Sequence, residues 1–131
     1  VSAEMVRHAP ESVLDSWLGR RGLEPFEGGA LRALFERLPD RLLGVLSLHF
    51  EKPDPAEVPQ VLALLSELPT PLLARAIGVA EGKQLVRLPG PTLAATRKLL
   101  HRAVSQGGAL GRHAYPLLAQ LEQQLSAARR A

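Results

Sequence analysis

The residues best suited to chemistry lie together in one predicted helix, residues 91–106 (PTLAATRKLLHRAVSQ). At about 100° per residue, its basic side chains, His101 and Ser105 fall within an arc of about 140°, and Thr96 with Leu, Ala and Val side chains fills the opposite side. The arc contains Arg97, Lys98, His101 and Arg102. Like charges at positions i and i+4 repel by about 0.2–0.5 kcal/mol. A basic face that keeps such repulsion therefore indicates an anionic partner.

The charge distribution along the chain supports the same surface. The net charge is +3, but residues 1–60 carry seven Lys/Arg and ten Asp/Glu, whereas residues 61–131 carry nine and three. No acidic residue occurs between Glu81 and Glu122, where six cations occur. We therefore predict a partner-binding surface consisting of Arg97, Lys98, His101, Arg102 and Arg112.

This basic surface predicts a non-catalytic interaction module, an adaptor, regulator or assembly subunit, that binds another protein with an acidic surface. The alternative is a nucleic-acid-binding helical domain that uses the same face, which the isoelectric point near 10.0 favours. Against it, only Tyr115 lies near the cations to stack on a base, and no zinc-finger, RRM or KH signature is present. The face could also pair with the acidic N-terminal half or be solvated. A membrane surface is less favoured, because no Trp or Phe flanks the cations.

The remaining polar residues give no sign of catalysis. The histidines (His8, His49, His101 and His113) lack the i, i+4 spacing of metal ligands, and there is no cysteine. No GxSxG motif is present, and the glycine-rich stretch 107–113 does not match the GxxxxGK[ST] phosphate loop. We expect no enzymatic activity, no metal and no cofactor.

The composition predicts the elements that must position these residues. The apolar residues are mostly Leu and Ala, which favour helices, and β-branched residues are scarce. We predict an all-α fold: a compact array of six to seven short helices, stacked as helical hairpins in a superhelical, repeat-like arrangement or packed as an irregular bundle. The predicted helices are 10–21, 28–38, 41–51, 59–68, 71–81, 91–105 and 115–129, with a helical turn at 2–9 and an ambiguous segment at 83–88.

Three similar stretches, LPDRLL at 38–43, LPTPLL at 68–73 and LPGPTL at 88–93, mark the corners between these helices. Superimposing 31–50 on 61–80 aligns several Leu residues and both Leu-Pro pairs, at a 30-residue period typical of helix-pair repeats. Chance matches in a Leu-rich chain are the better explanation of the overlap, because the third stretch follows after 20 residues and not 30. The pattern resembles the short helices of superhelical domains such as the cytoplasmic N-terminal domain of MgtE-type magnesium transporters. The acidic ion-binding residues of that family have no match here, so the resemblance implies an architecture and no function.

Local signals at the corners predict particular caps. We expect Asp40 and Thr70 to cap the helices that follow them, and Asp54 to begin the next helix with Pro55 at its first position. Residues 107–111 are predicted to be a loop, with Pro116 in the first turn of the last helix.

The length of 131 residues fits a single domain, 1–131, whose weakest point is the proline-rich segment 51–60. No apolar run reaches the roughly 20 residues that span a bilayer, and the first residues lack the pattern of a signal peptide. The absence of cysteine suits a reducing compartment, and we expect a cytoplasmic location. The oligomeric state is left open by the sequence.

Overall fold

The computed structural model describes residues 1–26 and 28–130, and within these ranges it contains eight α-helices and no strand. The helices are α1 (Ala3–His8), α2 (Glu11–Arg21), α3 (Gly29–Arg37), α4 (Pro39–Glu51), α5 (Val58–Glu67), α6 (Leu73–Ala80), α7 (Gly90–Gln106) and α8 (Gly108–Arg130). Three 3₁₀ turns, Pro55–Glu57, Thr70–Leu72 and Leu85–Arg87, precede α5, α6 and α7. The all-α prediction is confirmed. The number of helices exceeds the predicted six to seven because the predicted N-terminal turn is itself a helix, α1, which is capped by Ser2.

The Leu-Pro corners act as the sequence predicts. Leu38, Leu68 and Leu88 are buried at the points where the chain changes direction. Pro39 is the first residue of α4, where its missing N–H has no helical acceptor to lose. Pro69 precedes the 3₁₀ turn that leads into α6. Each corner therefore combines a buried anchor with a residue that cannot continue the preceding helix.

Two of the three predicted caps are wrong. No side-chain hydrogen bond caps α4, and Asp40 instead forms an ion pair with Arg75 of α6. Thr70 lies inside its 3₁₀ turn and does not cap it. In both cases the helical geometry begins earlier than predicted: the N-cap residue is Leu38, two positions before Asp40, and Pro69, one position before Thr70. Asp54 behaves as predicted, because its carboxylate accepts a hydrogen bond from the Ala56 amide at 3.0 Å.

The predicted loop at 107–111 and the predicted start of the last helix are also wrong. Helix α8 begins at Gly108, so Pro116 lies inside the helix and not in its first turn. Proline at this position removes the hydrogen bond to the carbonyl of Arg112 and usually costs about 3 kcal/mol. Packing against the neighbouring helix must therefore stabilise the first two turns of α8.

Glycines at the α7–α8 connection allow that packing. Gly107 and Gly108 have φ of 69° and 63°, which lets the chain reverse within one residue. A Cβ atom at Gly111 would lie 3.2 Å from the carbonyl oxygen of Val104. The backbones of α7 and α8 thus approach as closely as they do because residue 111 has no side chain.

The helices stack in two rows. In one row α1 packs on α3, α3 on α5 and α5 on α7, and in the other α4 packs on α6 and α6 on α8. Consecutive helices such as α3 and α4, or α7 and α8, join the rows as hairpins. These contacts join α3 to α8 into one compact helical array. It places α7, which carries the basic face, between α5 and α8.

The core is one cluster that extends from Val6 in α1 to Leu121 in α8. The leucines that align in the two halves of the Leu-Pro pattern are all buried in it: Leu34, Leu38, Leu42 and Leu43 in one, Leu64, Leu68, Leu72 and Leu73 in the other. Among the described residues, no single helix is long and apolar enough to cross a membrane. One bent pair, Pro55–Glu67 with Thr70–Ala80, meets the length and composition criteria only when taken together, across a bend of 111°.

Candidate functional site

The basic face of α7 is divided between two neighbouring helices. On the α8 side, Arg97 makes a bidentate ion pair with Glu122, with Nε–Oε1 at 2.5 Å and Nη2–Oε2 at 2.9 Å. His101 Nε2 lies 3.9 Å from the same Oε1 atom. Glu122 is the residue that closes the acid-free stretch of the sequence, and the hairpin brings it back onto the basic helix. The charge of Arg97 is therefore largely satisfied within the chain.

On the α5 side, Arg102 has a structural partner of a different kind. Its Nη2 atom donates a hydrogen bond of 2.7 Å to the carbonyl oxygen of Leu68, the C-cap residue of α5. The last carbonyls of a helix have no partner within the helix, so a guanidinium at this point satisfies one of them and suits the negative end of the helix dipole. The Arg102 Nε atom is buried without a hydrogen-bond partner in the structure. Arg102 thus holds α7 against the end of α5.

Lys98 differs from both arginines. It is exposed, and no salt bridge to it is found within residues 1–26 and 28–130. Arg112, the fifth predicted residue, is exposed on the early turns of α8 and lines a separate depression with Tyr115. The structure therefore has Arg97, Lys98, His101 and Arg102 on one helix, α7, whereas Arg112 lies on the next helix, α8.

Beside Lys98 lies a groove between α5 and α7 with a volume of about 540 Å³. Its apolar lining consists of Leu62, Ala63 and Leu65 of α5 with Pro91, Ala94, Ala95 and Leu99 of α7. Ser66, Lys98 and Arg102 complete it, so none of these lining residues is acidic. This groove was not predicted from the sequence. The one feature of the sequence that indicates it is the alanines on α5 and α7, at positions where leucines would have filled the space.

The groove exists because small side chains line both of its walls. Ala63 on α5 and Ala94 and Ala95 on α7 extend only one carbon from their helices. Leu65 and Leu99 beneath them are buried and close the floor. The result is a depression with apolar walls and a cationic end, which can accept apolar side chains and a carboxylate together.

Each of the four histidines lies near one carboxylate, at 2.9 to 3.9 Å: His8 near Glu4, His49 near Glu57, His101 near Glu122 and His113 near Glu81. Within the described parts of the chain, no cluster of three or more His, Cys, Asp or Glu side chains could hold a metal ion. His49 is fully buried, and neither ring nitrogen has a hydrogen-bond partner among residues 1–26 and 28–130. Its Nδ1 atom is 3.7 Å from Glu57 Oε2, close enough for an ion pair but too far for a hydrogen bond. His113 instead contacts Glu81 at 2.9 Å, joining α8 to the end of α6.

No protein-family model, curated protein or solved structure gives a significant match to this chain. Function therefore has to be inferred from the residues of this chain.

Proposed function

We propose that this protein is a non-catalytic helical interaction module, serving as an adaptor, regulator or assembly subunit, and that it binds an acidic surface of another protein. The contact centres on Lys98 of α7. His101 contributes at the edge of the same face, where its side chain is 57% exposed.

One observation carries the proposal: an exposed cation stands at the rim of an open apolar groove. Lys98 has no acidic neighbour among the residues that line the groove. Protein interfaces commonly combine an apolar centre with charges at the rim, and the rim charges steer the partner into register. The groove and Lys98 together have this arrangement.

The nucleic-acid alternative has less support from the same geometry. Phosphate binding gains affinity from each additional cation that contacts the backbone. Arg97 is engaged by Glu122, and Arg102 is engaged by the Leu68 carbonyl. Two of the three Lys and Arg side chains of the face are thus engaged within the chain, which leaves few cations for a run of phosphates.

Charge reversal at one position tests the proposal. We expect Lys98→Glu to reduce recovery of the native acidic partner about fivefold at low salt when the tagged chain is used for quantitative capture from lysate of its own cells. The matched control is Lys52→Glu, which makes the same charge change at an exposed residue just after α4. Lys52→Glu should recover the partner as the wild type does.

A partner set that is unchanged by Lys98→Glu would overturn the proposal. The alternative is tested in parallel by fluorescence anisotropy with random duplex and single-stranded nucleic acid over a salt series. Binding at low salt that weakens steeply with salt, and that Lys98→Glu abolishes, would favour the nucleic-acid function instead.

A further inference from the structure

The dimensions of the α5–α7 groove fit one side of a helix. Along α7 its lining runs from Pro91 to Arg102, which at 1.5 Å per residue is about 16 Å, or about three helical turns. Ser66, Ala94 and Lys98 are exposed along it, so the groove is open along its length. An open trough of this length accommodates a rod-shaped segment better than a compact small molecule.

The two ends of the groove differ in chemistry. Toward the start of α7, the lining consists of Pro91, Ala94 and Ala95, and it is apolar on both walls. One and two turns further on, Lys98 and Arg102 line the groove. An occupant therefore needs apolar side chains at one end of its buried stripe and carboxylates at the other.

We infer that the groove between α5 and α7 binds one amphipathic helix of a partner protein, with a Leu-like stripe against the alanines and Asp or Glu side chains at the Lys98 end. This inference depends on the proposed function and specifies the form of the partner. Binding of an apolar helix face in a groove is a recurrent mode of peptide recognition, in which side chains at i, i+3 or i+4, and i+7 anchor the ligand. The acidic residues fix which way the helix points, because only one end of the groove is cationic.

A displayed library of helical peptides provides the probe. Peptides of about 16 residues, or about four turns, carry randomised residues on one face and are selected on the immobilised full-length chain. We expect enrichment of Leu, Ile, Met or Phe at helical spacing, with Asp or Glu toward one end. The best peptide is then synthesised, and its Kd is measured with wild-type and variant chains.

Substitutions on both walls of the groove locate the binding. Ala94→Glu on α7 and Ser66→Glu on α5 each place a carboxylate at an exposed helical position and should weaken the best peptide by about tenfold or more. The matched control is Ala119→Glu, at an exposed position of α8, which should leave the Kd unchanged. Lys98→Glu should weaken binding about fivefold at low salt, and less at high salt. Circular dichroism verifies that each variant retains its helices. If either Ala94→Glu or Ser66→Glu misfolds, the other variant still tests the groove, because the two lie on opposite walls.

Three results would overturn the inference: no enrichment, enrichment of basic peptides, or binding that neither Ala94→Glu nor Ser66→Glu weakens. Sedimentation analysis adds a fourth, because a wild-type dimer that Ala94→Glu dissociates would assign the groove to a second copy of the chain. The failures remain distinguishable. If Lys98→Glu loses the native partner while the groove variants retain it and bind the peptides normally, the function stands and the groove assignment is wrong. If Lys98→Glu retains the native partner, the proposed function fails whatever the peptides show.

Discussion

Replacing Arg102 with Ala tests whether this cation serves the fold. Its Nη2 atom lies 2.7 Å from the Leu68 carbonyl oxygen, and the residue is half-buried. A hydrogen bond from a charged donor contributes about 1.5–3 kcal/mol, and partial exposure puts this one at the lower end. With the packing of the aliphatic stem included, we expect Arg102→Ala to lower the free energy of unfolding by about 1.5–2 kcal/mol. For a chain of this length, that corresponds to a decrease in Tm of about 5–7 °C.

The assay is urea unfolding followed by circular dichroism at 222 nm, with Lys98→Ala as the matched control. Lys98 lies four residues earlier on the same helix and is exposed, so its removal should change stability by no more than about 0.5 kcal/mol. Arg102→Lys keeps the charge but replaces the guanidinium by a shorter ammonium, and it should fall between the wild type and Arg102→Ala. Equal stabilities for Arg102→Ala and Lys98→Ala would refute the assignment of Arg102 as a helix cap.

Two further predictions concern polar groups in and near the core. Arg97→Ala and Glu122→Ala, combined in a double-mutant cycle, should show a coupling energy of about 0.5–1 kcal/mol that decreases with added salt, because both side chains are about 40% exposed. Additive effects of the two substitutions would contradict the pairing. His49→Leu should raise the free energy of unfolding by about 1 kcal/mol at neutral pH, since it removes buried ring nitrogens that lack hydrogen bonds. A loss of more than about 1 kcal/mol would instead show that the imidazole has a partner, and Glu57→Gln would then identify Glu57 as that partner if it caused a similar loss.

The corners of the fold could be predicted from sequence because their causes are local. A proline disfavours continuation of a helix through its own geometry, and a leucine at the end of an apolar stripe is buried by the same face that the stripe defines. Leu38 and Leu68 illustrate this, since both are buried and both are followed by a proline, at the start of α4 and just before the Thr70–Leu72 turn. The same local rule failed at Pro116, because the close contact of Gly111 with α7 stabilises the turns before it. Local propensity decides where no tertiary contact opposes it.

The candidate site was predicted less well, because charged residues that are far apart in the sequence can be neighbours in the folded chain. The absence of acidic residues between Glu81 and Glu122 implied a basic face without partners. The α7–α8 hairpin returns Glu122 to Arg97, more than twenty positions away along the chain. Arg102 donates its hydrogen bond to the main-chain carbonyl of Leu68. A count of charged residues in the sequence cannot predict such an acceptor. Lys98 is exposed, as the sequence predicted for the whole face, and no salt bridge to it is found within residues 1–26 and 28–130.

The groove was not predicted because a small side chain occurs in two opposite situations: where helices pack closely, and where space between helices is left unfilled. Ala33 and Ala63 occupy equivalent positions when the two Leu-Pro segments are superimposed. Ala33 is buried, because neighbouring helices approach it closely, whereas Ala63 lines an open groove. The same residue type therefore marks close packing in one hairpin and unfilled space in the next. The difference at Ala63 lies in the helix that faces it. Helix α7 has Ala94 and Ala95 along the groove, so the side chains of neither wall fill the space between α5 and α7. If a partner helix occupies the groove, the alanines on both walls have the role that Ala33 has in the core, which is to allow another helix to approach closely.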